Sequence, residues 1–443
     1  MGYRGPLYRT AQSIPLGGAG GSSMTDHQHP VPRSRTRRLG KFVRLAGGVA
    51  GSMVTEGVRQ LRAGKRPQAR DLLLTPANAH RLTRQLREMR GAAMKLGQIL
   101  SMDGGDFLPP ELADILAALR SSGFAMPEEQ LDEVLTDAFG ADFSRKLRDF
   151  DRRPFAAASI GQVHHLKTRD GRDAVLKIQY PGISESIDSD VDNLATLLKV
   201  SGLMPSHMDV KPLLIEVKQQ LREEADYEQE ARYLNAFVRA LGDDERFVLP
   251  RVIPSLTTQR VLGMTFVPGE PIEQVVNEVP EERDRVMALL FELFLTEMFH
   301  LRLVQTDPNF ANYRYDAETG QVALLDFGAS RRFKAAFTHA YRDLLRAVVA
   351  SDREAIATAA EAAGYHLGPP DSRYRSIILD MAQMVLEPMT RDEPYDFGAS
   401  TLASRVASMG EDLADYRDFW EAPPVDAAYV HRKIVGLFML ATR

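Results

Sequence analysis

The sequence of 443 residues predicts an α+β protein in which short β-rich stretches interrupt longer helical segments. Apolar residues recur at helical spacing over much of the chain, which is typical of amphipathic helices. Between residues 154 and 180, and again between 247 and 266, they form short runs bounded by turn residues, which is typical of strands. The length allows two or three cores at roughly 150 residues per domain.

The balance of charge and the lack of cysteine exclude several classes of protein. The chain has 55 Lys and Arg against 60 Asp and Glu, a net charge of −5, and is therefore not a globally basic nucleic-acid binder. Without cysteine it can form no disulfide framework, thiolate zinc site, iron–sulfur cluster or cysteine nucleophile. The most apolar stretch, residues 286–304, is interrupted by charged residues, so we expect no membrane span there.

Positive charge is concentrated in residues 1–70, which carry thirteen Lys and Arg against Asp26 and Glu56. Residues 1–35 are rich in Gly, Ser, Pro and Arg and predict a flexible leader. Residues 39–61 combine basic and apolar side chains at roughly helical spacing, which predicts either a helix at an anionic membrane surface or a helix packed on its own domain. A solvated tail and a mitochondrial transit peptide are the other interpretations of the leader. No aromatic residues interleave the arginine cluster at 33–38, so we expect no nucleic-acid partner.

The remaining elements follow from apolar spacing and turn residues. Strands over 161–166 and 174–179, joined by Asp170-Gly171, predict a hairpin. Prolines at 109, 110 and 127 are expected to mark helix ends within residues 76–150. The further predictions are helices over 186–204, 210–242 and 280–304, strands over 247–252 and 259–266, a hinge at 268–271, a strand pair near 313 and 322–325, and helices to the end.

Four fragments, in chain order, fit the requirements of phosphoryl transfer. They are a strand lysine, Lys177, a helix with the carboxylates Glu224, Asp226 and Glu230, a loop with Asp307 and Asn312 five apart, and Asp326-Phe327-Gly328 fourteen residues beyond Asn312. In that chemistry a lysine grips the phosphates and a glutamate fixes the lysine. A loop asparagine and the aspartate of Asp-Phe-Gly hold Mg²⁺, while a loop aspartate orients the nucleophile.

Each of these residues alone has a simpler interpretation. A strand lysine is usually a surface residue, a helix glutamate is usually solvated, and Asp-Phe-Gly is often only a turn. Their joint order and spacing favour a functional interpretation. On a continuous helix Asp226 and Glu230 would share one face, whereas Glu224 and Glu230 would point to different sides.

Further motifs connect these fragments to a known family. Lys95-Leu96-Gly97-Gln98, in a segment predicted to be helical, forms a KxGQ motif, an Ala-rich loop runs from Ala156 to His164, and Glu224-Ala225-Asp226 forms an ExD motif. With these residues the sequence resembles the UbiB family of atypical kinases, which have an aarF-type domain, from about Arg84 to Arg443. The form of Gln305 to Asn309 is similar to the coenzyme Q biosynthesis branch, whereas many relatives carry an HADPHPGN-type loop.

The resemblance implies an atypical protein-kinase-like two-lobe fold with an N-terminal helical extension that carries the KxGQ motif. Residues 1–70 would form the basic leader, including the amphipathic segment for which membrane binding is one of the two interpretations, and residues 71–150 the helical extension. Residues 151–270 would form the N-lobe and residues 271–443 the C-lobe.

The same resemblance implies ATP or ADP and Mg²⁺ as cofactors. Asp307, Lys177 and Glu230 would be catalytic, with Lys177 on the nucleotide phosphates and paired with Glu230, and Asn312 and Asp326 would be Mg²⁺ ligands. Other residues implied at the nucleotide are Ala156, Ala157, Ala158, Ser159, Lys95, Gln98, Glu224 and Asp226. Lys95 and Gln98 would enter from the extension near Glu224 or Asp226, and the residues leave open which carboxylate Lys95 meets.

Departures from ordinary protein kinases bear on the substrate. The chain has no GxGxxG loop, Thr306 stands at the arginine position of the HRD motif, and no Ala-Pro-Glu follows Asp-Phe-Gly at a suitable distance. Protein phosphorylation in trans is therefore not expected. We expect an ATP-binding, Mg²⁺-dependent atypical kinase or ATPase that supports ubiquinone biosynthesis at a membrane.

Several expectations about partners and rival functions accompany this interpretation. The partners implied are a quinone-precursor lipid, coenzyme Q biosynthesis proteins and an anionic membrane surface. The implied location is cytoplasmic and peripheral on the inner membrane, or on the matrix side of a mitochondrial membrane. The alternatives are a small-molecule kinase and a pseudokinase scaffold that binds nucleotide and lipid. Retention of Lys177, Asp307, Asn312 and Asp326 argues against the scaffold.

Overall fold

The structure is a computed structural model, and it describes residues 125–200, 211–413, 416 and 423–443. The leader, the amphipathic segment 39–61 and most of the predicted extension lie outside the described residues. The α-helices of the described chain are α1 (Glu128–Phe139), α2 (Ile183–Val200), α3 (Lys211–Glu224), α4 (Tyr227–Leu241), α5 (Pro280–Thr296), α6 (Ala335–Val349), α7 (Arg353–Ala362), α8 (Arg373–Val385), α9 (Leu402–Leu413) and α10 (Val425–Ala441).

The strands form three sheets and confirm the mixed fold class. They are β1 (Ala156–Ala157), β2 (Gly161–Lys167), β3 (Asp173–Gln179), β4 (Phe247–Val248), β5 (Val261–Thr265), β6 (Glu270–Pro271), β7 (Leu303–Gln305), β8 (Tyr313–Asp316), β9 (Gln321–Leu324) and β10 (Ser330–Arg332). The N-lobe sheet has the order β1-β2-β3-β5 and is antiparallel throughout. The C-lobe contains a four-stranded sheet, β4-β9-β8-β6, and the pair β10-β7.

The predicted hairpin is present as β2 and β3, and it sets which side chains of the N-lobe face the C-lobe. Gly171 adopts φ +83 in the connecting turn, a left-handed conformation that glycine accepts without strain. Because side chains alternate along a strand, Leu176 and Ile178 pack with α1 in one apolar cluster. Val175 belongs to a larger apolar cluster that includes residues of α4, α5 and α10. Lys177 lies on the same face of β3 as Val175.

The predicted helix over 210–242 is wrong in one respect, because it is two helices with a break between them. Helix α3 ends at Glu224, and Asp226 has φ −105 and ψ 88, outside the helical region. The Asp226 carboxylate accepts a hydrogen bond from the backbone N–H of Gln229, which caps the start of α4. Helical periodicity continues across this break, so spacing alone did not reveal it.

The C-lobe differs from the prediction at the end of its long apolar helix. Helix α5 ends at Thr296, a π-helical turn spans Glu297–Leu301, and Arg302 adopts the left-handed conformation with φ 51. The chain then enters strand β7, so the helix predicted over 280–304 is too long. A π-turn inside an apolar helix often occurs beside a functional site.

Three other predicted segments differ from the prediction, because two strands are shorter than predicted and the hinge contains a strand. Of the strand predicted over 247–252, only Phe247–Val248 forms, and it pairs in parallel with Val322 and Ala323 of β9. The strand predicted over 259–266 spans Val261–Thr265. The predicted hinge contains β6, which pairs with β8.

A large apolar core joins the two lobes around α4, α5 and α10. Its members include Leu234 and Phe237 of α4, Leu293 of α5 and Val430 of α10, each almost completely buried. Burial of one such side chain contributes roughly 1.5–3 kcal/mol, so this core holds the sheet and the C-terminal helix in a fixed relationship. Within the described ranges we find no helix with the length and apolar character required to cross a membrane.

Candidate functional site

Three residues far apart in sequence meet at the face of β3 that points toward the C-lobe. The Nζ of Lys177 lies 2.8 and 2.9 Å from the two carboxylate oxygens of Glu230 on α4. The same Nζ lies 3.0 Å from Oδ2 of Asp326, just beyond β9. Lys177 is 53 residues from Glu230 and 149 residues from Asp326, so only the tertiary fold brings these charges together.

Burial and charge together define the electrostatics of this cluster. Glu230 is 2% exposed, and this burial raises its pKa to about 7, while the charge of Lys177 opposes the rise. Burial alone would lower the pKa of Lys177, but the carboxylates of Asp326 and Glu230 outweigh it and hold that pKa well above its ordinary value. Lys177 is therefore a positive charge held in place by two carboxylates.

Tyr227 forms the floor of the cluster and was not predicted from the sequence. Its ring centre lies 5.2 Å from the Nζ of Lys177, within cation–π range. Its hydroxyl is buried and has no hydrogen-bond partner among the described residues. A Cβ at Gly161 would lie 2.3 Å from the carbonyl oxygen of Ile178 and 3.0 Å from this hydroxyl, so β2 can start here only with glycine. The sequence signal was an aromatic residue directly after the ExD motif.

The Ala-rich loop is a tight turn between β1 and β2 that is fastened to α3. Three alanines are predicted to contact the nucleotide. Ala156 and Ala157 form β1. The N–H of Ala158 donates to the carbonyl oxygen of Gly161 at 2.9 Å. Ser159 Oγ donates to Oε2 of Glu224 at 2.8 Å. The loop is therefore held by the last residue of α3 and lacks the freedom of a glycine-rich phosphate loop.

The ExD carboxylates do not share the faces that a continuous helix would give them. Glu224 contacts Ser159, Glu230 contacts Lys177, and Asp226 caps α4. Asp226 also lies 3.6 Å from the guanidinium of Arg232. The predicted common face of Asp226 and Glu230 is thus wrong, because the cap takes Asp226 out of the helix. Lys95 and Gln98, predicted to approach these residues, lie outside the described residues.

The predicted catalytic loop and the Asp-Phe-Gly turn lie side by side. The Nδ2 of Asn312 donates to the carbonyl oxygen of Asp307 at 3.3 Å, and the N–H of Leu325 donates to the carbonyl oxygen of Asn312 at 3.0 Å. Asp326 Oδ1 accepts from the N–H of Gly328 at 2.9 Å. The structure thereby joins Asp307 to Asn312, and Asn312 to the segment that carries Asp326 of the Lys177 cluster. Asp326 is 36% exposed, so solvent and ligands can reach it.

The C-terminal helix α10 contacts the predicted catalytic loop at Thr306 and Pro308. The sequence did not predict these contacts. Arg432 contacts Thr306, Lys433 Nζ donates to the hydroxyl of Tyr313 at 2.7 Å, and a Cβ at Gly436 would lie 2.0 Å from Cβ of Pro308. The available signal was a pair of basic residues, Arg432-Lys433, inside an otherwise apolar helix.

Comparison with known proteins agrees with this arrangement. Residues 118–360 match the ABC1 atypical kinase-like domain. The chain is 36% identical over 418 residues to the mitochondrial atypical kinase COQ8B of Rattus norvegicus, which covers 94% of this chain and 79% of that protein. It is 36% identical over 417 residues to the mitochondrial atypical kinase COQ8 of Saccharomyces cerevisiae, which covers 93% of this chain and 82% of that protein.

One solved structure extends the likeness to the fold. The complex of Rv3197 with erythromycin, from Mycobacterium tuberculosis, superposes with a TM-score of 0.58 at 25% identity and covers 83% of this chain and 92% of that one. The kinase-like fold and the family match also explain why a lysine, a glutamate and an Asp-Phe-Gly aspartate converge here. The chain is therefore an atypical kinase and belongs to the UbiB family, whose members carry the ABC1 domain.

Proposed function

We propose that this protein binds ATP with Mg²⁺ and acts as an atypical kinase or ATPase in coenzyme Q biosynthesis at a membrane. The observation that carries the proposal is the contact of Lys177 with both Glu230 and Asp326. Nothing in an apolar core requires two carboxylates around one buried lysine. An enzyme that transfers phosphoryl groups does require a fixed positive charge beside a metal-binding carboxylate.

The residues at the edge of the cluster fit a Mg²⁺ ion. Mg²⁺ prefers oxygen ligands and is usually held by one or two carboxylates together with substrate phosphates and water. Asp326 supplies a partly exposed carboxylate. Asn312 would supply its side-chain amide oxygen, since the nitrogen of that amide is the atom hydrogen-bonded to Asp307. When bound, Mg²⁺ would neutralise charge on the phosphates. Lys177 would then contact the phosphates, with Glu230 fixing its position, and Asp307 would orient the attacking oxygen.

The attachment of the Ala-rich turn to α3 supports water or a small molecule, and not a protein, as the acceptor of the phosphoryl group. Ser159 holds the turn to Glu224, and alanines leave the backbone less freedom than glycines to close over the phosphates. Transfer to a protein chain requires an ordered surface for the acceptor peptide, and the chain has no Ala-Pro-Glu at the usual distance after Asp-Phe-Gly. We therefore infer ATP hydrolysis, or transfer to a small acceptor, and not protein phosphorylation in trans.

The biological setting is inferred from the relatives. The two COQ8 proteins are named as mitochondrial atypical kinases, and Rv3197 is described in complex with erythromycin. We infer a quinone-precursor lipid and coenzyme Q biosynthesis proteins as partners. The basic residues 1–70 support attachment to an anionic membrane surface, on the cytoplasmic face of an inner membrane or on the matrix side in a mitochondrion.

Phosphate release from ATP and Mg²⁺, measured with and without anionic liposomes, tests the proposal. The Asp326→Asn variant is expected to fall to background, because an amide is a weaker ligand for Mg²⁺ than a carboxylate. Asp371→Asn, the same change at an exposed position, is the control and should retain full release. Equal release by the wild type and Asp326→Asn would overturn the proposal and favour a nucleotide-binding scaffold.

A further inference from the structure

A positive charge is buried on the core-facing side of the C-terminal helix α10. Lys433 is 1% exposed, and three residues on the same side of the helix, Val430, Leu437 and Leu440, are members of the main apolar core. Removing an ammonium group from water costs several kcal/mol, and apolar packing around the group does not offset that cost. The lysine therefore depends on specific polar contacts at this position.

Two polar side chains meet the ammonium group of Lys433. Its Nζ donates to the hydroxyl of Tyr313 on β8 at 2.7 Å and lies 5.4 Å from the centre of the same ring. Oε2 of Glu297, in the π-helical turn, is 3.8 Å away. Tyr313 is thus the closer partner, whereas Glu297 balances the charge. A hydrogen bond from a charged donor is stronger than one between neutral groups, so Lys433 fixes the position of the Tyr313 side chain.

Tyr313 is the residue at which the predicted catalytic loop enters strand β8, and it directly follows Asn312, the Mg²⁺ ligand proposed above. The N–H of Tyr313 donates to the carbonyl oxygen of Phe310, which closes the turn that contains Asn312. Tyr313 pairs with Leu324 of β9, and the N–H of Leu325 donates to the carbonyl oxygen of Asn312 at 3.0 Å. A displacement of Tyr313 would therefore move the backbone that carries the Asn312 amide.

A second tyrosine on the same strand shows what a purely structural contact of this kind looks like. Tyr315 is 3% exposed, and its hydroxyl donates to Oε1 of Glu282 on α5, also at 2.7 Å. The two tyrosines thus share strand, burial and a charged partner, but only Tyr313 adjoins Asn312. If both contacts served only stability, the loss of either hydroxyl would have the same consequences.

We propose that Lys433 is a positioning residue for Asn312 and acts through Tyr313. The inference rests on the proposed function, which assigns Asn312 to Mg²⁺. A ligand that is held in place before the ion arrives avoids the cost of being ordered when the ion binds. Groups that orient metal ligands contribute about 10- to 100-fold to metal affinity or activity. Because Lys433 acts through one intervening residue, we expect an effect at the lower end of that range.

The test is a titration of the full chain with Mn²⁺ at a fixed excess of ADP, followed by water proton relaxation, which is enhanced when the ion binds to protein. Mn²⁺ accepts the same oxygen ligands as Mg²⁺. Tyr313→Phe removes the hydroxyl and keeps the ring, and it should raise the dissociation constant of Mn²⁺ about tenfold. Tyr315→Phe should bind Mn²⁺ like the wild type. Equal binding by all three proteins would overturn the proposal.

Urea unfolding of the same variants separates positioning from stability. We expect Tyr313→Phe and Tyr315→Phe to lower the unfolding midpoint by similar amounts, because each loses one buried hydrogen bond to a charged group. Only Tyr313→Phe should also lose Mn²⁺ affinity. A loss of Mn²⁺ affinity in both variants would mean that the effect follows stability and would overturn the positioning role.

A double-mutant cycle tests whether Lys433 acts through Tyr313. It is measured in the Glu297→Gln background, so that Lys433→Met leaves no carboxylate without its cation. Lys433→Met should weaken Mn²⁺ binding about tenfold, and adding Tyr313→Phe should weaken it no further. Additive losses would overturn the proposal, and if Lys433→Met does not fold, the comparison of Tyr313→Phe with Tyr315→Phe decides.

Asp326→Asn separates this inference from the proposed function. Mn²⁺ binding that depends on Asp326 but not on Tyr313 would overturn only the role assigned to Lys433. Binding that depends on neither residue would overturn the proposed function as well, because the ion would then lie elsewhere.

Discussion

Arg432 of the C-terminal helix holds Thr306, the residue directly before the proposed catalytic aspartate. The Nε of Arg432 lies 3.0 Å from the carbonyl oxygen of Thr306, and one terminal nitrogen lies 3.1 Å from its hydroxyl oxygen. The other terminal nitrogen donates to Oε1 of Gln220 on α3 at 2.9 Å. Thr306 occupies the position that is arginine in the HRD motif. A guanidinium from α10 therefore reaches the loop at the point where the loop's own sequence lacks one.

Arg432→Leu should impair turnover without preventing nucleotide binding. The loop would lose two hydrogen bonds that fix Thr306, and small displacements of a reacting group lower kcat by about 10- to 100-fold. The KM for ATP should stay within about twofold, because Lys177 and Asp326 keep their contacts. Steady-state phosphate release measures both constants. Arg353→Leu is the control, because it removes another guanidinium that donates to the carbonyl and hydroxyl oxygens of one residue, here Ser376. A raised KM with unchanged kcat would contradict a positioning role.

Gly436 on α10 should be intolerant of any side chain, because its backbone touches the loop itself. A Cβ at this position would lie 2.0 Å from Cβ of Pro308, so even alanine requires α10 or the loop to move. We expect Gly436→Ala to lower the free energy of unfolding by about 1–3 kcal/mol, as overpacking does, and to lower kcat.

The matched control is Gly410→Ala on α9, where a new Cβ meets nothing within 4 Å. That variant should gain stability, by up to about 1 kcal/mol, because alanine favours a helix interior. Urea unfolding and phosphate release of both variants measure the contrast. If Gly436→Ala were as stable and active as the wild type, α10 would not support the loop.

The local parts of the fold could be predicted from the sequence, and the long-range parts could not. The β2–β3 hairpin follows from apolar runs and the turn at Gly171, all within about 20 residues. The break before α4 was missed because Asp226 suits both a helix surface and a cap, and only the φ and ψ angles distinguish them. The contacts of Arg432 with Thr306 join residues 126 positions apart, and no spacing rule connects them. The family resemblance predicts the pairing of Lys177 with Glu230, whereas the residue pattern alone does not. The burial that makes this pair significant depends on the whole core.

The pair formed by Lys177 and Glu230 should behave as one unit in stability measurements. Lys177→Met leaves two carboxylates without their shared cation, and breaking a buried ion pair costs about 3–5 kcal/mol. The double variant Lys177→Met with Glu230→Gln should lose less than the sum of the single variants, because the amide carries no charge into the core. Urea unfolding of the four proteins at pH 8 gives the coupling energy.

An exposed pair gives the scale for comparison. Arg260 lies 2.9 Å from Glu185 at the surface, and Arg260→Met should cost less than about 1 kcal/mol. Additive losses at Lys177 and Glu230 would show that the two side chains do not depend on each other.

Glu297, in the π-helical turn, should make stability depend on pH in a defined direction. Its side chain is 1% exposed, and its Oε2 lies 3.8 Å from Nζ of Lys433 and accepts no hydrogen bond from the described residues. Burial raises its pKa from 4.5 to about 7, and the charge of Lys433 only partly opposes this. The folded protein therefore holds this proton more tightly than the unfolded chain does. The stability that Glu297 contributes is complete below pH 4.5 and is lost as pH rises through about 7.

Glu297→Gln removes this titration while keeping the shape of the side chain. Relative to the variant, the wild type should lose up to about 3 kcal/mol of unfolding free energy between pH 4.5 and pH 8, at 1.36 kcal/mol for each unit of pKa difference. Urea unfolding of both proteins at pH 5, 6, 7 and 8 measures the difference. Glu281→Gln, the same change at an exposed position in the first turn of α5, is the control for loss of a carboxylate. A difference between wild type and Glu297→Gln that stays constant over this range would mean that Glu297 is ionised throughout and that Lys433 fully compensates its burial.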